Sequence, residues 1–183
     1  MTILHIDSSI SGENSASRAI SRSVVDQLRA LNPGAGLVAR DLVSQPLPHL
    51  TLAAFADSSV LDEFLAADTV VIGAPMYNFT LPTQLKAWLD RILVAGKTFR
   101  YTETGPEGLA GGKRVIVALA RGGFYDAGSP ASALEHLETY LRGVFNFIGI
   151  EPEFVAADGL AIGPEQREVS IKQALGETVR LAA

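Results

Sequence analysis

Five short apolar runs recur along this 183-residue chain, and the stretches between them return their apolar residues every three or four positions. The runs are Ile3 to Ile6, Gly36 to Leu42, Thr69 to Gly73, Val115 to Leu119 and Phe154 to Ala157. Between them, Ile20, Val24, Leu28 and Leu31 stripe one helix, which stops near Asn32-Pro33-Gly34, and Ser58 to Ala67 form a second, short one. A third runs from Pro82 to about Val94 with Leu85, Trp88, Leu89, Ile92 and Leu93 on one face, Pro82 taking the first helical position. A fourth carries Leu134, Leu137, Leu141, Val144, Phe145 and Ile148, and a fifth spans Pro164 to Leu181. Regular β-α alternation permits few folds, because parallel neighbours need crossovers and the crossover helices cover both sheet faces. The pattern predicts a single α/β domain over residues 1–183, a five-stranded parallel sheet between helical layers. Residues 95–112 break the alternation, hold five glycines and predict a hairpin around Tyr101 to Gly105.

Composition narrows the function. The hydrophobic share of 48% suits strands covered on both faces, with or without a subunit interface. A net charge of -5 argues against a broad basic surface for nucleic acid. The absence of cysteine rules out disulfides, thiolate catalysis and thiolate-held metal, so redox chemistry here needs an organic cofactor. His5, His49 and His136 form no metal-ligand pair, and no metal site is expected. No apolar run nears the roughly 20 residues of a membrane span, and no basic, apolar leader opens the sequence. The expectation is a cytoplasmic protein without a membrane partner.

In open α/β sheets ligands bind beyond the carboxyl ends of the strands. Three loops there are chemically distinctive. The first, Asp7 to Arg18, brings hydroxyls to the start of a helix, where free N–H groups favour a phosphate; Ser15 or Ser17 as a simple N-cap is the competing reading. It lacks both the Gly-x-x-x-x-Gly-Lys phosphate loop and Gly-x-Gly-x-x-Gly, so a monophosphate fits better than a nucleoside triphosphate or a dinucleotide, which points to flavin mononucleotide (FMN). The second loop, Gly73-Ala74-Pro75-Met76-Tyr77-Asn78-Phe79, offers a platform for a flat ligand, with Gly73 and Pro75 setting the direction of the chain; its rings are otherwise plugs of the sheet end. The third, Ala120-Arg121-Gly122-Gly123-Phe124-Tyr125, offers amides, or the Arg121 charge, to the flavin edge where negative charge grows on reduction; an ordinary turn with a surface arginine is the alternative.

Ser8-Ser9-Ile10 with Ser15-Ala16-Ser17, the Gly73 to Phe79 string, Lys97-Thr98-Phe99-Arg100-Tyr101-Thr102 and Arg121-Gly122-Gly123 closely resemble the FMN-dependent NADH azoreductases, also called FMN-dependent NADH:quinone oxidoreductases, nearly end to end. The resemblance implies a flavodoxin-like fold with strand order 2-1-3-4-5 and a homodimer with FMN at the interface. It implies that Ser9, Ser15, Ala16 and Ser17 hold the phosphate, that Pro75, Met76, Tyr77, Asn78 and Phe79 cradle the isoalloxazine, and that Ala120, Arg121, Gly122 and Gly123 meet its far edge. Tyr101 and Phe124 would line the substrate side. The implied reaction is ping-pong: NADH or NADPH gives hydride to flavin N5, and a quinone or azo compound then takes two electrons without a catalytic side chain. Two features depart from the family pattern. Ala120 stands where many members have Ser or Thr, and the segment between Pro48 and Asp57 is short. Lys97 and Arg100 are candidates for meeting a 2'-phosphate. A flavodoxin-type electron carrier using FMN with a protein partner is the main alternative. A phosphoacceptor domain would need an Asp where Gly73-Ala74-Pro75 ends the third strand.

Overall fold

The computed structural model describes residues 1–182. Its strands are β1 (Thr2–Asp7), β2 (Gly36–Asp41), β3 (Thr69–Pro75), β4 (Phe99–Thr102), β5 (Gly105–Gly108), β6 (Arg114–Ala120) and β7 (Glu153–Ala157). Its helices are α1 (Ala16–Leu31), α2 (Ser59–Ala66), α3 (Thr83–Ile92), α4 (Glu138–Phe147) and α5 (Pro164–Ala182). Five strands form a parallel sheet in the order β2-β1-β3-β6-β7. The numerals differ from the expected 2-1-3-4-5 because β4 and β5 pair with each other as a separate antiparallel hairpin. That hairpin surrounds the predicted turn: Thr102 and Gly105 are its last pair.

Side chains alternate across the sheet, as the pleat requires. Ile3, Val71 and Ile116 pack with Val24, Val25 and Leu28 of α1, and Ala118 and Val155 pack with Ile20 of α1 and Ala174 of α5. Leu4, Ile6, Val70, Ile72, Val115 and Val117 face the other way, against Phe64 of α2, Leu85, Trp88 and Leu89 of α3, and Leu141 and Phe145 of α4. Both faces are thus covered. Strand β3 lies at the centre and every residue of it is buried, whereas β2 forms an edge and exposes Gly36 to Ala39.

Three local expectations are corrected. Pro82 is the N-cap of α3 rather than its first helical residue, since its ψ of 146° is extended. Helix α4 excludes Leu134, which lies in a 3-10 turn and is exposed. The Glu135 carboxylate accepts the amides of Leu137, Glu138 and Thr139, and this side-chain cap marks where the α-helix can begin. Gly73 and Pro75 belong to β3 and do not make the turn after it. Glycine is required at 73 by crowding: a Cβ there would stand 2.6 Å from Asp7 Oδ1 and 3.3 Å from the Ser17 carbonyl oxygen.

The short segment after Pro48 is pinned from below. Arg91 of α3 is buried and donates to the Pro48 carbonyl at 2.9 Å and, more weakly, to that of Ala54 at 3.4 Å. Among the described residues no helix is long and apolar enough to cross a membrane, and no group of three or more His, Asp or Glu is placed to hold a metal ion.

The hairpin is seated by backbone contact. Ala110 donates to the Ile148 carbonyl at 2.9 Å, and a Cβ on Gly108 would fall 2.1 Å from the Gly149 nitrogen. A Gly108→Ala variant is expected to lose about 1–3 kcal/mol, the range for overpacking, seen as a lower denaturant midpoint; an unchanged midpoint would refute this seating.

Candidate functional site

The site grows from the carboxyl ends of β1, β3 and β6. After β1 the chain turns back under α1, and Ser8, Ser9, Ser15 and Ser17 are all buried. Ser8 Oγ donates to the Gly73 carbonyl at 2.7 Å, which ties this loop to β3. Ser15 is the N-cap of α1: its Oγ accepts the Arg18 amide at 3.3 Å and lies 3.1 Å from Ser17 Oγ. Capping and ligand binding are therefore compatible, because the cap takes the Arg18 amide and the first amides of the helix have no partner within it.

Arg18 is the residue that sequence reasoning missed here. Its guanidinium donates to the Ser9 carbonyl at 2.8 and 3.2 Å, grips both carboxylate oxygens of Asp41 at 2.8 and 3.0 Å, and lies 3.6 Å from Asp7 Oδ2. Asp7 also accepts from Ser21 at 3.0 Å, and Ser21 is 2.9 Å from His5 Nε2. The hydrogen bonds from Arg18 hold the Asp41 carboxyl below its ordinary range, partial burial opposing them.

The second loop makes its bend at Asn78 and Phe79, whose φ values are +48° and +72°. Tyr77 N donates to the Thr80 carbonyl at 2.9 Å and Thr80 N returns the bond at 3.2 Å, closing a two-residue turn whose central positions both need positive φ. Asparagine tolerates that conformation, but a bulky phenylalanine in it stores about 1–3 kcal/mol of strain. The surroundings keep it there: His136 N donates to the Phe79 carbonyl at 3.1 Å, Thr80 Oγ1 donates to the His136 carbonyl at 3.2 Å, and the Phe79 ring meets Tyr125 edge-on at 6.5 Å. Phe79 is 45% exposed, so its ring is not a core plug. Tyr77 is a bridge: its hydroxyl accepts the Ile10 amide at 3.1 Å and lies 3.3 Å from Ser9 Oγ. Met76 continues the sheet by donating to the Ala120 carbonyl at 2.8 Å.

In the third loop the Arg121 guanidinium is neither a surface charge nor a free cation. It is buried and bound by both oxygens of Asp158 at 2.6 and 2.8 Å, with Glu138 at 3.5 Å and Glu135 at 3.7 Å. Burial works against its charge, but Asp158 and the two glutamates more than offset that and raise its pKa above the ordinary value. Burial likewise pushes Glu135 up, yet the amides it accepts hold it below the usual carboxylate range. The loop backbone is fixed by a fourth loop, after β7, that the sequence reading passed over: Leu160, Ala161 and Gly159 donate to the carbonyls of Arg121, Gly122 and Gly123. A side chain on Gly122 would crowd Ala161 at 3.3 Å, and one on Gly123 would meet the Tyr125 ring at 3.4 Å.

Ser9, Ser15, Ala16, Pro75, Met76, Tyr77 and Ala120 converge on one cleft of about 110 Å³, joined there by Ser11, Asn14, Leu160 and Arg167. Asn78, Phe79, Gly122 and Gly123 extend from two of its walls. Tyr101 is 75% exposed on the hairpin, its ring edge-on to Phe99, and is not among the residues lining the cleft. Phe124 is half-exposed beside Gly159. A larger, mostly apolar cavity of about 190 Å³ lies between Leu50, Phe55, Leu61 and Val94 and shares no residue with the cleft. Donor chemistry, not volume, identifies the site.

The flavodoxin-like fold family matches residues 1–181. The chain is 56% identical to the FMN-dependent NADH:quinone oxidoreductase 2 of Bradyrhizobium diazoefficiens, over the whole of both chains, and 54% identical to the FMN-dependent NADH:quinone oxidoreductase of Rhizobium meliloti, over 95% of this chain and 93% of that one. The first alignment spans 201 positions for a chain of 183 residues, so that relative carries residues this chain lacks. Among solved structures, an azoreductase from Bacillus anthracis superposes with a TM-score of 0.91 at 28% identity, covering 100% of this chain and 98% of the other. An FMN-dependent NADH-azoreductase of the same species, solved in complex with FMN, gives 0.85 at 26% identity over the whole of both chains.

The Arg18 to Asp41 pair generates a pH dependence. Because the folded state lowers the Asp41 pKa, the pair's stabilisation is complete above the unfolded value of about 3.9 and is lost as pH falls through the folded value. Asp41→Asn is expected to melt lower at pH 7 and to lose less melting temperature than the parent between pH 6 and 3; parallel curves would refute the assignment.

Proposed function

This chain belongs to the flavodoxin-like family of FMN-dependent NADH:quinone oxidoreductases, and we propose that it is itself an FMN-dependent NAD(P)H oxidoreductase that reduces quinones and cleaves azo compounds. The reading takes residues 1–183 as one FMN-binding domain in a cytoplasmic homodimer, with the separate β4–β5 hairpin falling in sequence between the third and fourth strands of a parallel sheet of order 2-1-3-4-5. The observation that carries it is the convergence, beside one cleft, of a hydroxyl-lined helix start, a strained turn presenting Phe79, and the backbone of Gly122 and Gly123. A monophosphate at one end of a ligand and a flat ring at the other match that order of walls.

The redox chemistry that FMN supplies when bound is acceptance of hydride at N5 from NADH or NADPH and, after the nicotinamide leaves, delivery of two electrons to a quinone or azo compound, a ping-pong sequence. The chain's part is binding and orientation. Ser9, Ser15 and Ser17 offer hydroxyls, and Ala16 and Ser17 the first amides of α1, to the phosphate. Pro75 and Met76, in the cleft wall, would hold the ring together with Phe79 and the Asn78 turn, and Tyr77 fixes the first loop against the second. Ala120, Gly122 and Gly123 would meet its far edge with backbone groups, while Arg121 would act through the loop it anchors. With Arg121 enclosed by three carboxylates, amide dipoles rather than a side-chain cation answer negative charge at that edge. Phe124, beside this loop, and Tyr101, on the hairpin, are assigned to the substrate side.

The homodimer is supported by an apolar groove along α4, lined by Tyr140, Val144 and Phe147 and by Leu93 just after α3. Asp7 and Asp41 are both engaged by Arg18, and the end of β3 is Gly73-Ala74-Pro75, so the arrangement gives no support to phosphoacceptor chemistry.

The purified protein is expected to be yellow with flavin absorbance, to be bleached by NADH or NADPH without oxygen, and to recover its colour on adding menadione or methyl red. Retained FMN with no reaction toward either nicotinamide would favour an electron carrier. Phe79→Ala is expected to weaken FMN binding about tenfold or more while shifting stability by no more than about 1 kcal/mol, since a half-exposed ring contributes area to the ligand rather than to the core. Equal FMN affinity in variant and parent would remove Phe79 from the site.

A further inference from the structure

The cleft that would take the phosphate has one charged residue among those lining it, and it comes from the far end of the chain. Arg167 stands in the first turn of α5 and lines the cleft beside Ser9, Ser11, Asn14, Ser15 and Ala16. Its Nη2 donates to the Asn14 carbonyl at 2.6 Å, which ties α5 to the turn before α1. Among the described residues no carboxylate lies within ion-pair distance of it. Every other arginine near the three loops is neutralised: Arg18 by Asp41 and Asp7, and Arg121 by Asp158, Glu135 and Glu138.

We propose that Arg167 recognises the phosphate of the flavin and so makes this site select the phosphorylated cofactor over riboflavin. The inference rests on the flavin reading and adds a residue to it. A phosphate monoester carries close to two negative charges at neutral pH. Hydroxyls and helix amides supply directed donors but only partial charge, whereas a guanidinium has five N–H donors and a full one. One of the donors of Arg167 is engaged by Asn14, and the bond holds the side chain at the cleft wall. In a chain of net charge -5, this cation is the local counter-charge that a dianion requires. No residue lining the cleft is acidic, so nothing there competes for it.

The test compares two ligands that differ only in the phosphate. The full chain, stripped of flavin, is titrated with FMN and separately with riboflavin by quenching of flavin fluorescence. Arg167→Ala is expected to weaken FMN about 10- to 100-fold, the range for a charge-assisted hydrogen bond, and to leave riboflavin affinity within about twofold. Arg167→Lys is expected to recover part of the FMN affinity, because it restores charge without the fork. Arg167→Gln keeps an amide donor for the Asn14 carbonyl and removes the charge, so it carries the test if the alanine variant folds poorly. Equal weakening toward both flavins would overturn the proposal and make Arg167 a support for the Asn14 turn; so would unchanged FMN affinity. A parent chain that binds neither flavin would overturn the flavin reading itself, and a parent that binds FMN while the variants keep their preference for it would overturn only the role of Arg167.

Discussion

The Arg18 guanidinium ties together β1, β2 and α1, the elements that carry the first wall of the site. It spans the Ser9 carbonyl beyond β1, Asp41 at the end of β2 and Asp7 at the end of β1, and it does so from the first turn of α1. A charge this enclosed needs partners, since burying it unpaired would cost several kcal/mol. Here the partners are backbone and carboxylates that must be brought into one place, so the pairing fixes the angle at which the helix leaves the sheet. The crowding at Gly73 follows from that angle. With α1 so near β3, the Ser17 carbonyl and Asp7 leave no room for a Cβ. Packing and electrostatics thus specify the same geometry, and the hydroxyls of Ser9, Ser15 and Ser17 arrive where they do as a result.

The second wall is built on strain instead of on pairing. A two-residue turn with positive φ at both positions is ordinary for Asn-Gly, and Phe79 in the second place is not. The cost is balanced by bonds from the segment that leads into α4, through His136 and Thr80. An aromatic ring on a loop would otherwise have many orientations; the turn leaves it few. Under the proposed flavin reading, strain kept at this exposed ring would pre-organise a surface for a flat ligand.

The third wall shows charge being withdrawn from the ligand's side. Arg121 follows β6 directly and is surrounded by Asp158, Glu135 and Glu138, and Glu135 is itself fixed by the first amides of α4. The cluster welds the ends of β6, β7 and α4 into one support. What it leaves for the cleft is backbone, and Gly122 and Gly123 allow that backbone to come close.

Much of this was legible along the chain. The positions of the five sheet strands and five helices follow from hydrophobic period, because burial on one stripe or on alternate residues is a local property of sequence. The three loops were legible for a similar reason: serine before a helix, a proline and aromatic string after a buried strand, and paired glycines each advertise a local conformation. What they advertised was sometimes a different mechanism. Gly73 is small because a helix crosses it and not because the chain turns there, Leu134 obeys the stripe of α4 but lies outside it, and the numbering of the sheet depends on whether the hairpin joins it. None of these can be read from apolar spacing: the first is settled by elements distant in sequence, and the other two by a side-chain cap and a backbone pairing that hydrophobic period does not record.

The sequence by itself determined the β-α alternation, the exclusion of thiol chemistry and the three loops proposed to hold a monophosphate and a flat ring. Only the tertiary structure decided which charges are free. Arg18, Arg121 and Arg167 look alike in one dimension, each beside glycine, serine or glutamate. In space the first two are enclosed by carboxylates from other strands and helices, and the third lines a cleft with serines more than 150 residues before it in the chain. Coulomb interactions act through distance and burial, and the chain order records neither.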